Sequence, residues 1–352
     1  MNKKSMATVC AVLAAAFYAL NVPLSKVLLQ YVGPTMMAAF LYLGAGLGLT
    51  AYSSVCGLMG RTAIREPLTR KELPYTVAMV VLDIAAPILL MIGITMSDSA
   101  NVSLLNNFEI VATSLIAFFL FHEVLSRKLV LAIVLVTAAS ILLGLEGSGG
   151  FSFQLGSVFV LGACVCWGFE NNCTRVLSSK SPVEIVMIKG CFSGAGSLAV
   201  ALFCGERIPA AGWIGAVLLL GFVAYGLSIC FYIMAQKELG AAKTSAYYSI
   251  APFLGVLFSV ILLGEQLNAQ FFAALGIMIA ATVLMIKDSI ALQHTHMHTH
   301  THTHEHRHGN LVHTHEHTHT HEHTHVHEGD EHVHSHHHKD LNDHNHPHSI
   351  RA

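Results

Sequence analysis

The sequence predicts an all-α integral membrane protein whose ten transmembrane helices form two inverted five-helix repeats. Three observations support this fold class: the composition, the length of the apolar segments, and patterns of the first half that recur in the second. Hydrophobic residues make up 53% of the 352 residues and charged residues only 11%, against about 25% charged residues in a typical soluble domain. A soluble core cannot bury so much apolar chain. We therefore expect the lipid bilayer, and no nucleic acid, as a partner of residues 1–287.

Ten apolar segments are long enough to cross the hydrocarbon core of a bilayer, which takes about 20 residues per helix. They are residues 6–28, 34–56, 73–95, 99–121, 129–146, 153–177, 182–204, 211–235, 240–263 and 267–287. The first segment follows Lys3 and Lys4 like a signal peptide, but it continues past the usual length of an apolar signal region. All eight cysteines lie in apolar segments, which indicates small packed side chains and not a secreted disulfide framework.

The basic residues predict the orientation of the helices, because cytoplasmic loops are enriched in Lys and Arg. The loops on one side carry 13 of them, and the loops on the other side carry only Lys26 and Arg207. The basic side contains both ends of the chain. We therefore predict a multi-pass protein of the cell membrane, plasma or inner, with both termini in the cytoplasm.

The chain repeats itself at a nearly constant offset. Pro34 and Pro182 begin similar segments that end in Cys-Gly, at Gly57 and Gly205, an offset of 148 residues. Glu123 matches Glu265 at an offset of 142. Because five is odd, the second half enters the membrane with the opposite orientation, which is typical of secondary transporters with a substrate site between the halves. The predicted divisions are 1–146, 147–287 and a tail, 288–352.

Two segments carry a resemblance to a known family. Ser99-ANVSLLNNFEIVATSLIAFFLFHE-Val124 and Gly240-AAKTSAYYSIAPFLGVLFSVILLGE-Gln266 resemble the fourth and ninth helices of EamA-type transporters of the drug/metabolite transporter (DMT) superfamily. Pro252 and the closing Gly-Glu match that family. Ile110 and His122 stand where proline and glycine are common. The resemblance covers residues 1–287 and implies a ten-helix transporter of small organic solutes, without implying a particular substrate.

Polar residues within the apolar segments are candidates for the transport pathway, because polar groups at membrane depth usually face the bundle interior or water. In the fourth segment the spacing places five of them on one helical face: Ser99, Ser103, Asn106, Glu109 and Thr113. We interpret this stripe as the lining of a cavity. The alternative is that it only holds the helices together by hydrogen bonds.

Further candidates for the substrate or proton pathway lie in other segments: Asn21, Asp83, Glu170, Lys189, Tyr225 and Tyr248. Lys189 is the only cation deep in a segment, and we expect its partner to be Asp83, Glu109 or Glu170. A structural ion pair and a substrate site remain equally open interpretations. The fifth and tenth segments have almost no polar residues, so we expect them outside the bundle, facing lipid or the second protomer of a homodimer.

The tail carries 24 of the 25 histidines, between His294 and His348, alternating with Thr, Glu, Val or Ser. Neutral imidazole binds transition metals well, so we predict a disordered cytoplasmic tail that binds Zn, Ni, Co or Cu. The alternative is a titratable polar tail without metal. The predicted ligands include His294, His296, His298, His300, His302, His304, His313, His315, His317, His319, His321, His323, His336, His337 and His338.

Together these features predict a secondary transporter, not an enzyme, that moves a small organic metabolite such as an amino acid and needs no cofactor in its core. One alternative is a carrier of Zn, Ni or Co whose tail buffers or delivers the ion. A stripe of Cys166, Glu170 and Cys173 in the sixth segment keeps this alternative open, although His122 is the only histidine outside the tail. The other alternative, a membrane-anchored metal-storage protein, does not explain a duplicated set of helices with polar stripes.

Overall fold

A computed structural model describes residues 3–58, 67–122, 125–145, 154–177, 180–308 and 311–326. Glu123 and His336–His338 lie outside the described residues. The described chain up to residue 291 is a compact α-helical unit, which confirms the predicted fold class. Its ten helices, numbered first to tenth along the chain, are Lys3–Ala19 with Asn21–Leu28, Pro34–Leu58, Leu73–Met96, Ser99–Leu105 with Phe108–Phe121, Arg127–Gly144, Leu155–Val176, Pro182–Phe203, Ala211–Leu239, Ala241–Tyr248 with Ala251–Leu263, and Ala269–Leu292.

Nine of these described helices are long and apolar enough throughout to cross a membrane. The sixth, Leu155–Val176, has 22 residues and is less apolar, because Glu170, Asn171 and Asn172 lie near its end. The length of this helix still matches a bilayer. Three consecutive polar residues within a membrane-spanning helix need hydrogen-bond partners inside the bundle.

Three helices are interrupted, and proline accounts for two of the interruptions. Proline has no N–H to donate to the carbonyl four residues earlier. Pro23 follows the break between Ala19 and Asn21, and Pro252 follows the break before Ala251. The fourth helix breaks at Asn106 and Asn107 without a proline. Here the Asn107 side chain donates to the Leu104 carbonyl at 3.0 Å and so competes with the backbone.

The seventh and eighth helices stay continuous but each contains a π-helical segment, Lys189–Ser193 and Phe222–Leu227. Such segments inside α-helices are frequent at functional sites. The fourth and ninth helices, which are repeat partners, both end in a left-handed residue, His122 with φ 54° and Gly264 with φ 66°. These residues are 142 positions apart, the same offset that separates Glu123 from Glu265.

The second helix packs closely against the seventh and eighth through glycines. A Cβ atom at Gly190 would lie 2.4 Å from the backbone nitrogen of Gly46, and one at Gly44 would lie 2.1 Å from the Leu218 carbonyl oxygen. These distances are too short for any side chain. The glycines therefore let the backbones touch, and this crossing brings the seventh helix, with Lys189, against the third.

Two carboxylates of the second half bind helix N-termini of the first half. Glu206 accepts the backbone N–H groups of Thr35 and Met36 at 3.0 and 2.8 Å. Glu265 accepts those of Ser99 and Ala100 at 2.8 and 2.7 Å. The first N–H groups of a helix have no partner within it, and a carboxylate there also interacts favourably with the helix dipole. The two halves are therefore joined at this end of the bundle by charge-assisted hydrogen bonds.

The fifth and tenth helices carry large apolar side chains on their outer faces. Val134 is 58% exposed and Phe272 is 57% exposed, while Ala132 and Ala274 on the same helices are fully buried. This one-sided exposure agrees with the expected peripheral position of both helices.

The histidine-rich tail forms a separate unit. Disorder was predicted for residues 288–352, and the structure differs over part of this range. The tenth helix continues to Leu292, and Gln293–His308 pairs antiparallel with Leu311–Val326. Threonine and valine, which alternate with the histidines, favour extended backbone. The register sets histidine opposite histidine at seven positions, from His294 with His325 to His306 with His313. Residues 327–352 lie outside the described residues, and their disorder stays a prediction.

Candidate transport site

The centre of the bundle contains a buried ion cluster. The Nζ atom of Lys189, on the seventh helix, lies 3.1 Å from Oδ2 of Asp83 on the third and 2.9 Å from Oε1 of Glu170 on the sixth. Asp83 is fully buried and Glu170 is 2% exposed. Asp83 and Glu170 were two of the three partners expected for Lys189. One ammonium thus faces two carboxylates, and the cluster carries a negative charge when all three groups are ionised.

Two aromatic residues that sequence reasoning missed hold one end of this cluster. The hydroxyl of Tyr42 donates to Oδ1 of Asp83 at 3.0 Å, and Nε1 of Trp167 donates to the Tyr42 hydroxyl at 3.4 Å. At the other end, the hydroxyl of Thr174 donates to Oε1 of Glu170. These bonds stabilise the ionised carboxylates, because a buried charge is costly unless it is paired and hydrogen-bonded.

The expected third partner, Glu109, does not contact Lys189. Its carboxylate accepts a hydrogen bond from the side-chain amide of Asn171 at 2.7 Å, and the same amide group lies 3.2 Å from the hydroxyl of Thr113. The fourth and sixth helices are joined by this contact. Glu109 therefore has an amide donor but no recorded cationic partner among the described residues.

Three further predicted polar residues lie on the first, eighth and ninth helices: Asn21, Tyr225 and Tyr248. The amide of Asn21 donates to the Tyr225 hydroxyl at 2.9 Å and accepts from Ser25 at 3.2 Å. The hydroxyl of Tyr248 lies 3.4 Å from that of Ser228. The contact between Asn21 and Tyr225 joins the first half to the second.

The residues of the predicted polar stripe of the fourth helix contact two different helices, the ninth and the sixth. Ser99 accepts from Ser259 of the ninth helix at 2.9 Å, and Ser103 packs where Gly255 leaves room. Asn106 lies at the break, and its side-chain oxygen has no partner in the described part of the chain. Beyond the break, Glu109 and Thr113 both contact Asn171 of the sixth helix. That the stripe lines a cavity stays a prediction.

The helix irregularities coincide with these polar residues. Asn21 and Tyr248 flank the breaks of the first and ninth helices, and Glu109 follows the break of the fourth. Lys189 and Tyr225 lie within the two π-helical segments. Interrupted helices expose unpaired backbone groups, which membrane proteins tolerate where they line a cavity or are buried in protein. Both halves thus contribute irregular backbone and polar side chains to the same region.

A transition-metal site is not formed by the described side chains. Among them, no group of three or more His, Cys, Asp or Glu side chains is placed to hold a metal ion. In the candidate stripe of the sixth helix, Glu170 is bound to Lys189 and Thr174. Cys166 and Cys173 are free thiols.

The membrane-length helices define the class of protein, a multi-pass membrane protein. The chain belongs to the EamA-like transporter family, whose model matches it twice, at residues 5–145 and 154–287. An uncharacterized transporter from Methanothermobacter thermautotrophicus is 25% identical over 279 residues, covering 72% of this chain and 78% of the relative.

Two bacterial relatives are similarly distant. The uncharacterized transporter YyaM of Bacillus subtilis is 22% identical, covering 67% of this chain and 79% of the relative. The uncharacterized inner membrane transporter YedA of Escherichia coli K12 is 23% identical, covering 72% and 81%. A solved crystal structure aligns over 82% of this chain and 99% of its own with a TM-score of 0.59 and 18% identity, which supports the fold alone.

Proposed function

We propose that this EamA-type transporter moves a small organic metabolite, such as an amino acid or a related solute, across the membrane. Asp83, Glu109 and Glu170 act as ligands for the substrate or for coupled protons. Asn21, Asn106, Tyr225 and Tyr248 supply polar groups to the pathway. The observation that carries this proposal is the buried ion cluster that joins both halves, with Lys189 in a π-helical segment.

The chemistry of the cluster suits a carrier more than a rigid structural pair. Lys189 is 21% exposed, although it lies in the middle of its helix, so the described residues do not enclose its side chain completely. A substrate or proton that binds Asp83 or Glu170 competes with Lys189 for the same oxygens. Such competition changes the attraction between the seventh helix and its two neighbours, and a carrier needs this kind of link between occupancy and helix position.

Transport in vesicles tests the proposal directly. The full-length chain and a chain ending at Lys287 are reconstituted in proteoliposomes with a panel of labelled metabolites and divalent metals. We expect an organic solute to move with both chains. Movement of zinc or nickel, and of no organic solute, would support the metal-carrier alternative instead.

For the orientation we propose that both termini are cytoplasmic, because 13 Lys and Arg residues lie on their side against two on the other. Reporters fused after residue 287 and near Arg65 should then read cytoplasmic, and one near Gly149 should read external. Residues 287 and 149 reporting the same side would contradict the inverted arrangement.

For the tail we propose binding of Zn, Ni, Co or Cu through its histidines. Histidines at alternate positions can bind several ions through different combinations of side chains. This arrangement favours a large number of bound ions over one fixed coordination geometry. This role is separate from transport, since the proposed pathway residues of the core all precede Lys287.

A further inference from the structure

The two paired strands of the tail place their histidines on one face of a hairpin. Successive residues of a strand alternate between the two faces of a sheet, and directly opposite residues of an antiparallel pair share a face. Histidines occupy every second position of the first strand from His294 to His306, and the register sets each of them opposite a histidine of the second strand, from His325 to His313. These seven pairs, which we call the histidine rungs, therefore form one row on the same face.

The other face of this hairpin is polar. Over positions 295–307 and 312–324 it carries eight threonines and three glutamates, and its remaining residues are Met297, Arg307 and Val312. A two-stranded hairpin is at best marginally stable in water unless it has a hydrophobic face or packs against another element. Neither face of this hairpin is hydrophobic, so a ligand that joins the strands across the histidine rungs would stabilise it.

The spacing of the rungs suits a transition-metal ion. Opposite residues of antiparallel strands have Cβ atoms about 4.5–5.5 Å apart, whereas alternate residues along one strand are about 6.8 Å apart. The nearest histidine to any member of a rung is therefore its partner on the other strand. Two adjacent rungs supply four histidines, which is the number of ligands that zinc takes in a closed site. Seven rungs could thus supply about three such sites, since each site takes two rungs.

We propose that zinc, or a transition-metal ion of similar ligand preference, bridges the two strands, and that each ion is bound by the histidines of adjacent rungs. This inference rests on the proposed metal binding of the tail and specifies its sites: histidines on opposite strands bind the ion together. An ion that binds the paired strands and not the separated ones stabilises the pairing by mass action. Metal loading and hairpin formation are therefore linked, and zinc orders residues 293–308 and 311–326 in the register of the structure.

Hydrogen–deuterium exchange of the full-length chain in detergent tests this linkage, with zinc as the probe. Because the N–H groups of antiparallel strands bond across the pair, zinc should slow exchange in both strands together. The slowing should reach about tenfold when free zinc exceeds its Kd by about tenfold, and a chelator should reverse it. The core helices are the internal control, since their exchange should not respond to zinc. If zinc binds the tail and exchange in the two strands is unaltered, the inference is overturned.

Two variants that each lack six histidines separate the effect of pairing across the strands from the effect of histidine content. The whole-rung variant loses both members of three rungs and keeps four rungs complete. Its substitutions to threonine are at His294, His296, His298, His321, His323 and His325. The split-rung variant loses one member of six rungs and keeps one rung complete. Its substitutions to threonine are at His313, His315, His317, His319, His321 and His323.

We expect the whole-rung variant to keep zinc-dependent protection over residues 300–306 and 313–319. The split-rung variant should lose this protection and bind zinc about tenfold more weakly or worse, because its ligands are no longer held together by both strands. Equal zinc affinity and equal protection of the two variants would contradict sites across the strands, since both keep the same number of histidines. If the full-length chain binds no more zinc than the chain ending at Lys287, the metal-binding role of the tail fails as well, so the two failures are distinguishable.

Discussion

Lys189 of the second half lies 3.1 Å from Asp83 of the first half, so an ion pair joins the two repeats at the centre of the bundle. Lys189→Met leaves two buried carboxylates without a counter-charge. Breaking a buried pair in this way costs about 3–5 kcal/mol, and we expect a clearly lower melting temperature in detergent. Lys189→Arg keeps the charge and serves as the matched control. If the Met variant had the same melting temperature as the wild type, a structural contribution of this pair would be contradicted.

Glu265 should stabilise the start of the fourth helix. Its replacement by alanine leaves the N–H groups of Ser99 and Ala100 without their acceptor, and the loss of such a cap costs about 1–2 kcal/mol. Thermal unfolding should report the change. Gln266→Ala, at the exposed neighbouring position, is the control and should leave the melting temperature unaltered. Equal melting of both variants would show that the hydrogen bonds of Glu265 do not stabilise the bundle.

Gly190 should tolerate no side chain, because a Cβ atom there would lie 2.4 Å from the backbone nitrogen of Gly46. Gly190→Ala forces the second and seventh helices apart, with an overpacking cost of about 1–3 kcal/mol or more. The folded yield in size-exclusion chromatography should fall. Gly215→Ala, where nothing lies within 4 Å of the added atom, should fold normally. Normal yield of both would contradict the close crossing.

The sequence was sufficient to locate the helices, because a bilayer imposes a length and an apolar composition on each span. Pro182–Phe203 was expected at 182–204, for example. It also gave Asp83, Glu109 and Glu170 as candidate partners of Lys189, since a deep cation requires an acidic neighbour, and two of the three contact it. Tyr42 was not identified. It lies 41 residues from Asp83, and no periodic pattern encodes a contact between different helices.

The interruption of the fourth helix was also not predicted. Spacing on an ideal helix put Ser99 and Glu109 on one face. The helix breaks at Asn106 and Asn107, where no proline gives a signal. Before the break Ser99 contacts Ser259, and after it Glu109 contacts Asn171. Helical periodicity applies only within an uninterrupted helix.

Metal loading of the tail should fall steeply as the pH drops from about 7.5 to about 5.5, because free imidazole has a pKa of about 6.5 and only its neutral form binds metal. Equilibrium dialysis with zinc or nickel measures this loading for the full-length chain. The chain ending at Lys287 is the control and should bind far fewer ions while still transporting an organic solute. Equal loading of both chains at pH 7.5 would leave the tail without its proposed metal-binding role.

Uptake by Glu109→Gln most directly tests the claim that the polar centre is the transport site. The substitution removes the negative charge, keeps the size of the side chain and leaves the Asn171 amide an oxygen to bond. With the organic solute that the full-length chain moves in proteoliposomes, we expect transport to be lost or uncoupled from protons while the folded yield stays near that of the wild type. Glu238→Gln, at an exposed position, controls for loss of charge alone. Full, proton-coupled transport by the Glu109→Gln variant would contradict the account.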